Sequence, residues 1–577
     1  MKYITVVPAI RTIPGVEEFD YAVSDGHGLL LGDLILVPFR KHAIPALVTK
    51  FSDASAFAAR AVHLGPTQPL AHFGEPLPAL LRSVAQQTFS SQPTVLASWV
   101  RTVPKRAASK SEPKNSRQTG MPRRERRFLA DRWTGPNGLI ETARTTQGKT
   151  LIVTPWQHRA DALAKILGCP ALHADVAMGK AWMILSGFVD GSAPVLVTTR
   201  LGAWLTLQAD TVLVDEPEND DFKQDELAPR FDARLVVQEC AKLQPDLYVI
   251  SFNTTPRLNA EPAAWKQAPE ISLSLRTEPK LMRGSSTIRD LSEQTIADIE
   301  QAIEEQRHVT IIHPIRGERA RIACRDCGWT ATCVACSFPL SLVNGQALCR
   351  RCGRKNKIPV VCPSCGGSDL SRGRAGADQL MKQLESRFQS PLIRVVDVWE
   401  IQQISIAPKS LVVLTDVSLI GGAIEDIRRR ERLLIAWRRL AASLARLETQ
   451  VVVQGPEDTV TDCTDWLTAD GVERAWQKET SERKTFGYPP ATRLIKLLVD
   501  GNEPMALELQ RDLETVLPAA MTLRGPFLVA FRAKSRGERF VIHLTAAKET
   551  PDDELIALLD RFKKRAIIDL DPIAFFS

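Results

Sequence analysis

The sequence predicts a multidomain α/β protein: a small β-rich N-terminal domain, two α/β lobes, a cysteine-rich insert and a C-terminal α+β domain. Three observations predict it. The chain has 577 residues, 44% hydrophobic and 24% charged, an ordinary globular composition with length for several cores. Two series of short, continuous apolar runs alternate with helical patterns, as parallel strands buried on both faces do. Eight of the eleven cysteines fall within the 42 residues 324–365.

The elements follow in order. YITVVPAI, FDYAVSD, DLILVPF and PALVTKF, separated by turn residues, read as the strands of a β-rich domain spanning 1–103, and residues 77–100 read as helical. Residues 104–127 form a linker rich in Pro, Ser and basic residues. The first lobe, 128–280, contains the apolar runs 150–155, 193–199, 210–216 and 246–252. The second lobe, 281–465, contains runs at 308–314, 392–398, 410–416 and 449–455, with the cysteine-rich insert at 321–370. Residues 466–577 close the chain with strand-like 493–500 and 539–545. No apolar run is long enough to cross a bilayer and no secretory signal layout opens the chain, so a cytoplasmic protein with no membrane partner is expected.

The cysteines of the insert form four CxxC pairs: Cys324/Cys327, Cys333/Cys336, Cys349/Cys352 and Cys362/Cys365. One tight CxxC turn supplies two thiolates, so four pairs make two tetrahedral four-cysteine zinc sites. Gly328, Gly353 and Gly366 follow the second cysteine of three pairs, where a positive φ is often needed. Disulfides are disfavoured in a reducing cytosol, and an iron–sulfur cluster suits paired ribbon ligands less well than zinc. Four pairs can be wired three ways. The twelve residues between Cys336 and Cys349 have room for a hairpin, which favours a nested arrangement. In it Cys324, Cys327, Cys362 and Cys365 hold one Zn²⁺, and Cys333, Cys336, Cys349 and Cys352 hold the other. Four thiolates leave no open position for a catalytic water, so both sites are structural. Cys169, Cys240 and Cys463 are scattered and read as inert.

Residues 105–127 hold nine Lys or Arg against Glu112 and Glu125, so the whole net charge of +7 resides there. Within this linker Arg117, Arg123, Arg124, Arg126 and Arg127 are candidate contacts to nucleic-acid phosphates; the plain alternative is a solvated tether.

Several segments, in this order, resemble the replication-restart helicase family PriA (primosomal protein N′). Phe19-Asp20-Tyr21 and residues 32–39 resemble its N-terminal segments; Asp215-Glu216, Phe222-Lys223-Gln224 and residues 229–234 resemble its DEEH, YKQ and PRYxAR block. The four CxxC pairs match its zinc sites, and Gly487-Tyr488-Pro489-Pro490, Arg536-Gly537 and Asp569-Leu570-Asp571-Pro572 resemble its C-terminal domain. The resemblance implies helicase-like lobes and an N-terminal domain that holds the 3′ end of a nascent DNA strand. It places Phe19 and Asp20 in that pocket. Arg40 stands where the family has glycine, and Arg60 matches a family basic position.

The departures concern ATP. A P-loop cradles phosphates on glycine backbone and a helix N-terminus, with Lys on the β/γ-phosphates. The corresponding stretch, residues 133–139, has no Lys. Gly148-Lys149-Thr150 imitates the end of such a loop but runs straight into a strand, so it reads as a turn. DEEH becomes Asp215-Glu216-Pro217-Glu218, a vestigial acidic pair. The arginine-supplying QVAGRAGR becomes residues 439–446 without its glycines, and no GTQM…KGxDF segment lies between Ile401 and Leu411. A winged-helix domain, which the resemblance to longer members would place near the linker, is also expected to be absent.

The resemblance with these losses predicts a non-catalytic protein of replication restart with no ATP requirement. It would recognise forked or single-stranded DNA and help load the replicative helicase. Its partners would include a single-stranded-DNA-binding protein and the helicase or its loader. The competing readings are an active ATP-dependent 3′–5′ DNA helicase with a divergent nucleotide site, and a zinc-ribbon interaction scaffold.

Overall fold

The computed structural model describes residues 2–10, 16–40, 42–58, 61–100, 128–132, 135–224, 228–252, 270–279, 291–313, 320–324, 329, 331–333, 340–343, 346–349, 355–357, 359–371, 377–397, 406–420, 427–531 and 538–573. They fall into two compact units, Met1–Thr254 with Pro551–Ile573, and Thr255–Thr550 with Ala574–Ser577. Residues 551–573, grouped by sequence with the C-terminal domain, thus cluster with the first unit.

The first unit begins with β1 (Lys2–Pro8), β2 (Phe19–Val23), β3 (Asp33–Phe39), β4 (His42–Ser52), β5 (Val62–His63) and β6 (Ala71–His72), in sheet order β5-β2-β1-β4-β3-β6. β2 and β3 are not neighbours in the sheet, yet the Tyr21 hydroxyl donates to the Pro38 carbonyl at 2.7 Å. The sheet therefore curls until these strands meet. Alternate side chains separate two packing faces. Ile4, Val6, Tyr21, Ile35, Val37 and Val48 fill the inside of the curl. Val7, Leu34 and Leu47 join a core continued by α1 (Pro76–Gln87) and α2 (Gln92–Trp99) into the first lobe. Trp99 stacks on Trp204 of that lobe at 5.8 Å, and Phe73 meets Trp204 edge-on at 5.0 Å.

The first lobe contains β7 (Phe128–Arg132), α3 (Gly135–Thr145), β8 (Thr150–Val153), α4 (Gln157–Leu167), β9 (Ala171–Leu172), α5 (Met178–Asp190), β10 (Val195–Thr198), β11 (Thr211–Asp215), α6 (Ala233–Leu243) and β12 (Tyr248–Phe252). The strand order is β7-β12-β11-β8-β10-β9, with every pairing parallel. Leu151, Val153, Leu196, Val212 and Val214 pack on one face, and Ile152, Val197 and Leu213 on the other. Burial on both faces is why these strands are apolar without alternation.

The second unit has a parallel sheet of order β13-β23-β22-β14-β21. Its elements are β13 (Ser274–Pro279), α7 (Glu293–Glu304), β14 (Val309–His313), the insert strands β15 (Ala320–Arg321), β16 (Ala323–Cys324), β17 (Leu340–Val343), β18 (Gln346–Cys349), β19 (Lys355–Asn356) and β20 (Leu370–Ser371), then α8 (Ala377–Phe388), β21 (Ile393–Asp397), β22 (Leu411–Leu414), α9 (Arg429–Ala445), β23 (Gln450–Gly455), α10 (Glu457–Asp465) and α11 (Ala469–Thr485). The sequence reading missed β13, whose SLRTEP lies on the sheet edge, is not buried and so carries no apolar run. β24 (Thr492–Gly501), α12 (Glu503–Val516), β25 (Thr522–Phe531) and β26 (Glu538–Ala547) follow, the strands antiparallel with β26 between the other two. No described helix is long and apolar enough to cross a membrane.

Candidate metal centre and nucleic-acid sites

The metal centre is built by strand pairing. β16 pairs antiparallel with β20, Cys324 opposite Leu370, which sets Cys324 beside the chain that follows Cys362 and Cys365. That second turn is a compact knuckle. The Cys362 carbonyl accepts from the Gly366 N–H at 2.9 Å, and the Ser364 N–H approaches the Cys362 Sγ at 3.4 Å. Gly366 has φ +73°, the left-handed conformation expected of it. The sulfurs of Cys324, Cys362 and Cys365 all lie within 4.8 Å of one another, Cys324 and Cys365 at 3.6 Å. Four thiolates around Zn²⁺ at about 2.3 Å sit about 3.8 Å apart, so this trio fits a tetrahedral ion. It brings together three of the four ligands assigned to the outer site; Cys327 lies outside the described residues.

Of the inner set, Cys333 is buried with Ile322, Ala331, Leu340 and Ala347, and the Asn356 amide donates to its sulfur at 3.7 Å. β17 and β18 form a hairpin between Cys336 and Cys349, with Leu340 opposite Cys349. Cys349 ends β18, while Cys336 and Cys352 lie outside the described residues.

In parallel sheets, ligands gather at the carboxyl ends of the strands. There, only residues 133–134 separate β7 from α3, where a P-loop would lie. Asp215 ends β11 with no exposed surface. The Arg159 Nε donates to its Oδ2 at 2.9 Å and the Thr154 hydroxyl at 3.3 Å. Burial works to lower the Arg159 pKa, but the charge and hydrogen bond of Asp215, with Glu216, outweigh it and the net shift is upward. A guanidinium on α4 thus holds one oxygen of the Asp215 carboxylate. No motif in the sequence signals this arginine.

Lys149 lies at the opposite, N-terminal end of β8. Gly148 turns there with φ +83°, and the Lys149 N–H donates to Asp210 at 2.7 Å. Its ammonium donates to the Val189 carbonyl at 3.3 Å, and burial lowers its pKa against the opposing Asp210 charge. Residues 439–445 lie inside α9. Arg438 on that helix is buried, donates to the Trp466 and Leu467 carbonyls at 2.8 and 3.1 Å, and has its pKa lowered by burial to about 10. Trp437 also donates to the Cys463 carbonyl, at 2.7 Å. The helix is fastened to the end of α10 through these residues.

At the N-terminus, Phe19 meets Phe39 edge-on at 5.2 Å on the inner rim of the curled sheet. Asp20 is opposite Thr5 in register and shares its face, which is the other face of β2. The Thr5 and Ser55 hydroxyls donate to its two oxygens at 2.8 and 2.5 Å. Exposed Arg40 lies 5.9 Å from the Phe39 ring centroid. Phe19 and Asp20 therefore flank the strand edge rather than share one face. Arg60 and the linker residues Arg117, Arg123, Arg124, Arg126 and Arg127 lie outside the described residues.

The family-like block after β11 forms a scaffold. Asp232 caps α6 through the Arg234 N–H at 2.9 Å and pairs with the Arg234 guanidinium at 2.8 and 2.5 Å. Lys223 reaches Asp569 at 2.8 Å and the Leu570 carbonyl at 2.6 Å, with Arg230 at 4.0 Å from Asp569.

No family model matches the chain. It is similar to the replication restart protein PriA of Thermotoga maritima, 24% identical over 357 residues, which are 54% of this chain and 47% of that protein. The Helicobacter pylori J99 protein of the same name is 22% identical over 446 residues, 70% of each chain. That of Haemophilus influenzae is 23% identical over 438 residues, 66% of this chain and 59% of that one. The chain spans about half the length of the first of these relatives. Distant but extended similarity to several proteins of one name, with the ordered motifs above, supports membership of the PriA family of replication restart proteins.

Proposed function

We propose that the chain serves replication restart as a DNA-binding protein without ATPase activity. It recognises forks that carry a 3′-hydroxyl end and presents them to the replicative helicase or its loader, with a single-stranded-DNA-binding protein as a further partner. One observation carries the non-catalytic reading: at the ligand edge of the first lobe, two residues connect β7 to α3 and Arg159 neutralises Asp215. Phosphoryl transfer needs a phosphate cradle and a carboxylate available to Mg²⁺. The basic linker adds sequence-independent attraction to the DNA backbone, and two nested zinc sites hold the insert.

ATP hydrolysis in the presence of forked DNA is expected to equal the protein-free background, with Lys149→Ala changing nothing. Activity that Lys149→Ala abolishes would overturn the reading and restore the helicase alternative.

Fork recognition is tested through Asp20. Two hydroxyls already hold its carboxylate, which retains acceptor capacity for a terminal 3′-OH. Forks with a 3′-OH at the junction should bind better than forks ending in a 3′-phosphate, because the phosphate would face a carboxylate. Asp20→Asn should weaken 3′-OH binding about 10-fold, the loss of one charge-assisted hydrogen bond. Equal affinity of the native protein for the two ends excludes end recognition.

A further inference from the structure

Phe39 pairs with His42, so two residues connect β3 to β4, and Arg40 is the first of them. Such connections adopt turns with positive φ, for which Gly, Asn and Asp are suited and long side chains are not. Arg40 nonetheless occupies its position with φ +53°. Turn chemistry therefore does not account for an arginine there; the backbone accepts strain that glycine would relieve. The side chain is not used to fill a core, since Arg40 is exposed. Its guanidinium lies by the Phe39 ring, and that ring meets Phe19 edge-on. The result is a cation positioned beside Phe39 and Phe19 at one end of β2, next in sequence to Asp20 on the strand's other face.

We propose that Arg40 binds a backbone phosphodiester of the DNA strand whose end is held at Phe19 and Asp20, an inference that rests on the DNA-binding reading above. A guanidinium presents N–H donors in a plane that matches phosphate oxygens, and the aromatic face beside it restricts its motion. Asp20 then reads the end, and Arg40 supplies affinity independent of sequence and of end chemistry.

The experiment measures binding of the full chain to a fork with a recessed 3′-OH across a range of salt, for the native protein, Arg40→Gly and Arg40→Asn. Both replacements suit the turn, so neither should lower the melting temperature. Loss of one phosphate contact should reduce the log–log salt slope by about 0.7–0.9 and weaken binding about 5-fold near 0.15 M salt. The preference for a 3′-OH over a 3′-phosphate end should remain. An unchanged slope in both variants, with native binding intact, overturns the role of Arg40. Absence of salt-dependent binding by the native protein is a different failure, of the DNA-binding reading itself, and removes the inference with it.

Discussion

Cys362→Ser should remove one of two zinc equivalents and unfold the cysteine-rich insert. The insert is built from strands of two to four residues, too short to form an apolar core that folds without help. Structural zinc contributes about 10–16 kcal/mol of apparent binding energy at neutral pH, and in such modules that energy is folding energy. The three sulfurs within 4.8 Å would repel one another as thiolates without a cation between them. Cys324→Ser should have the same effect, and combining it with Cys362→Ser should cost no further ion. Cys333→Ser should remove the other ion, so Cys324→Ser with Cys333→Ser should leave none. Zinc per chain and protease cleavage within residues 321–370 report the outcome. Retention of one ion in that last variant would show that Cys324 and Cys333 share a site, and the nested wiring would be wrong.

Asp569→Ala should destabilise the first unit by about 3–5 kcal/mol, the cost of stranding a buried charge whose partner is gone. Asp569 is 1% exposed, Lys223 6% and Arg230 7%, so water cannot readily replace the lost carboxylate. The substitution takes the shared carboxylate from both cations, leaving Lys223 its bond to the Leu570 carbonyl, and loosens the hold on residues 551–573, which belong to this unit although they end the described chain. Lys223→Met should cost less, because Arg230 remains 4.0 Å from Asp569 and the methionine keeps most of the buried stem. Urea unfolding followed by tryptophan fluorescence, with Trp99 and Trp204 stacked in this unit's core, provides the measurement. A loss below about 1 kcal/mol for Asp569→Ala would mean that the pair is relaxed by solvent as surface pairs are.

The sequence alone determined what depends on local chemistry or on burial of both faces of a strand. All eight apolar runs assigned to the lobes coincide with parallel strands, because strands covered on both faces read as near-continuous apolar runs. Paired cysteines could be read as metal ligands because CxxC spacing is a property of one turn. The absence of a phosphate-cradling glycine–lysine segment was likewise visible, since a P-loop is contiguous.

Only the tertiary structure decided what depends on residues far apart in the chain. Arg159 meets Asp215 across 56 residues, and Lys223 meets Asp569 across 346, distances at which no spacing rule operates. Edge strand β13 exposes its sides and so leaves no apolar signature. Asp20 and Phe19 are adjacent in sequence, yet strand alternation sends them to opposite faces, and only the curl of the sheet brings Phe39, with Arg40 beside it, against Phe19. The physical reason is the same in each case. A side chain's type is local, but its partner is chosen by how the sheets close and pack, which is a property of the whole fold.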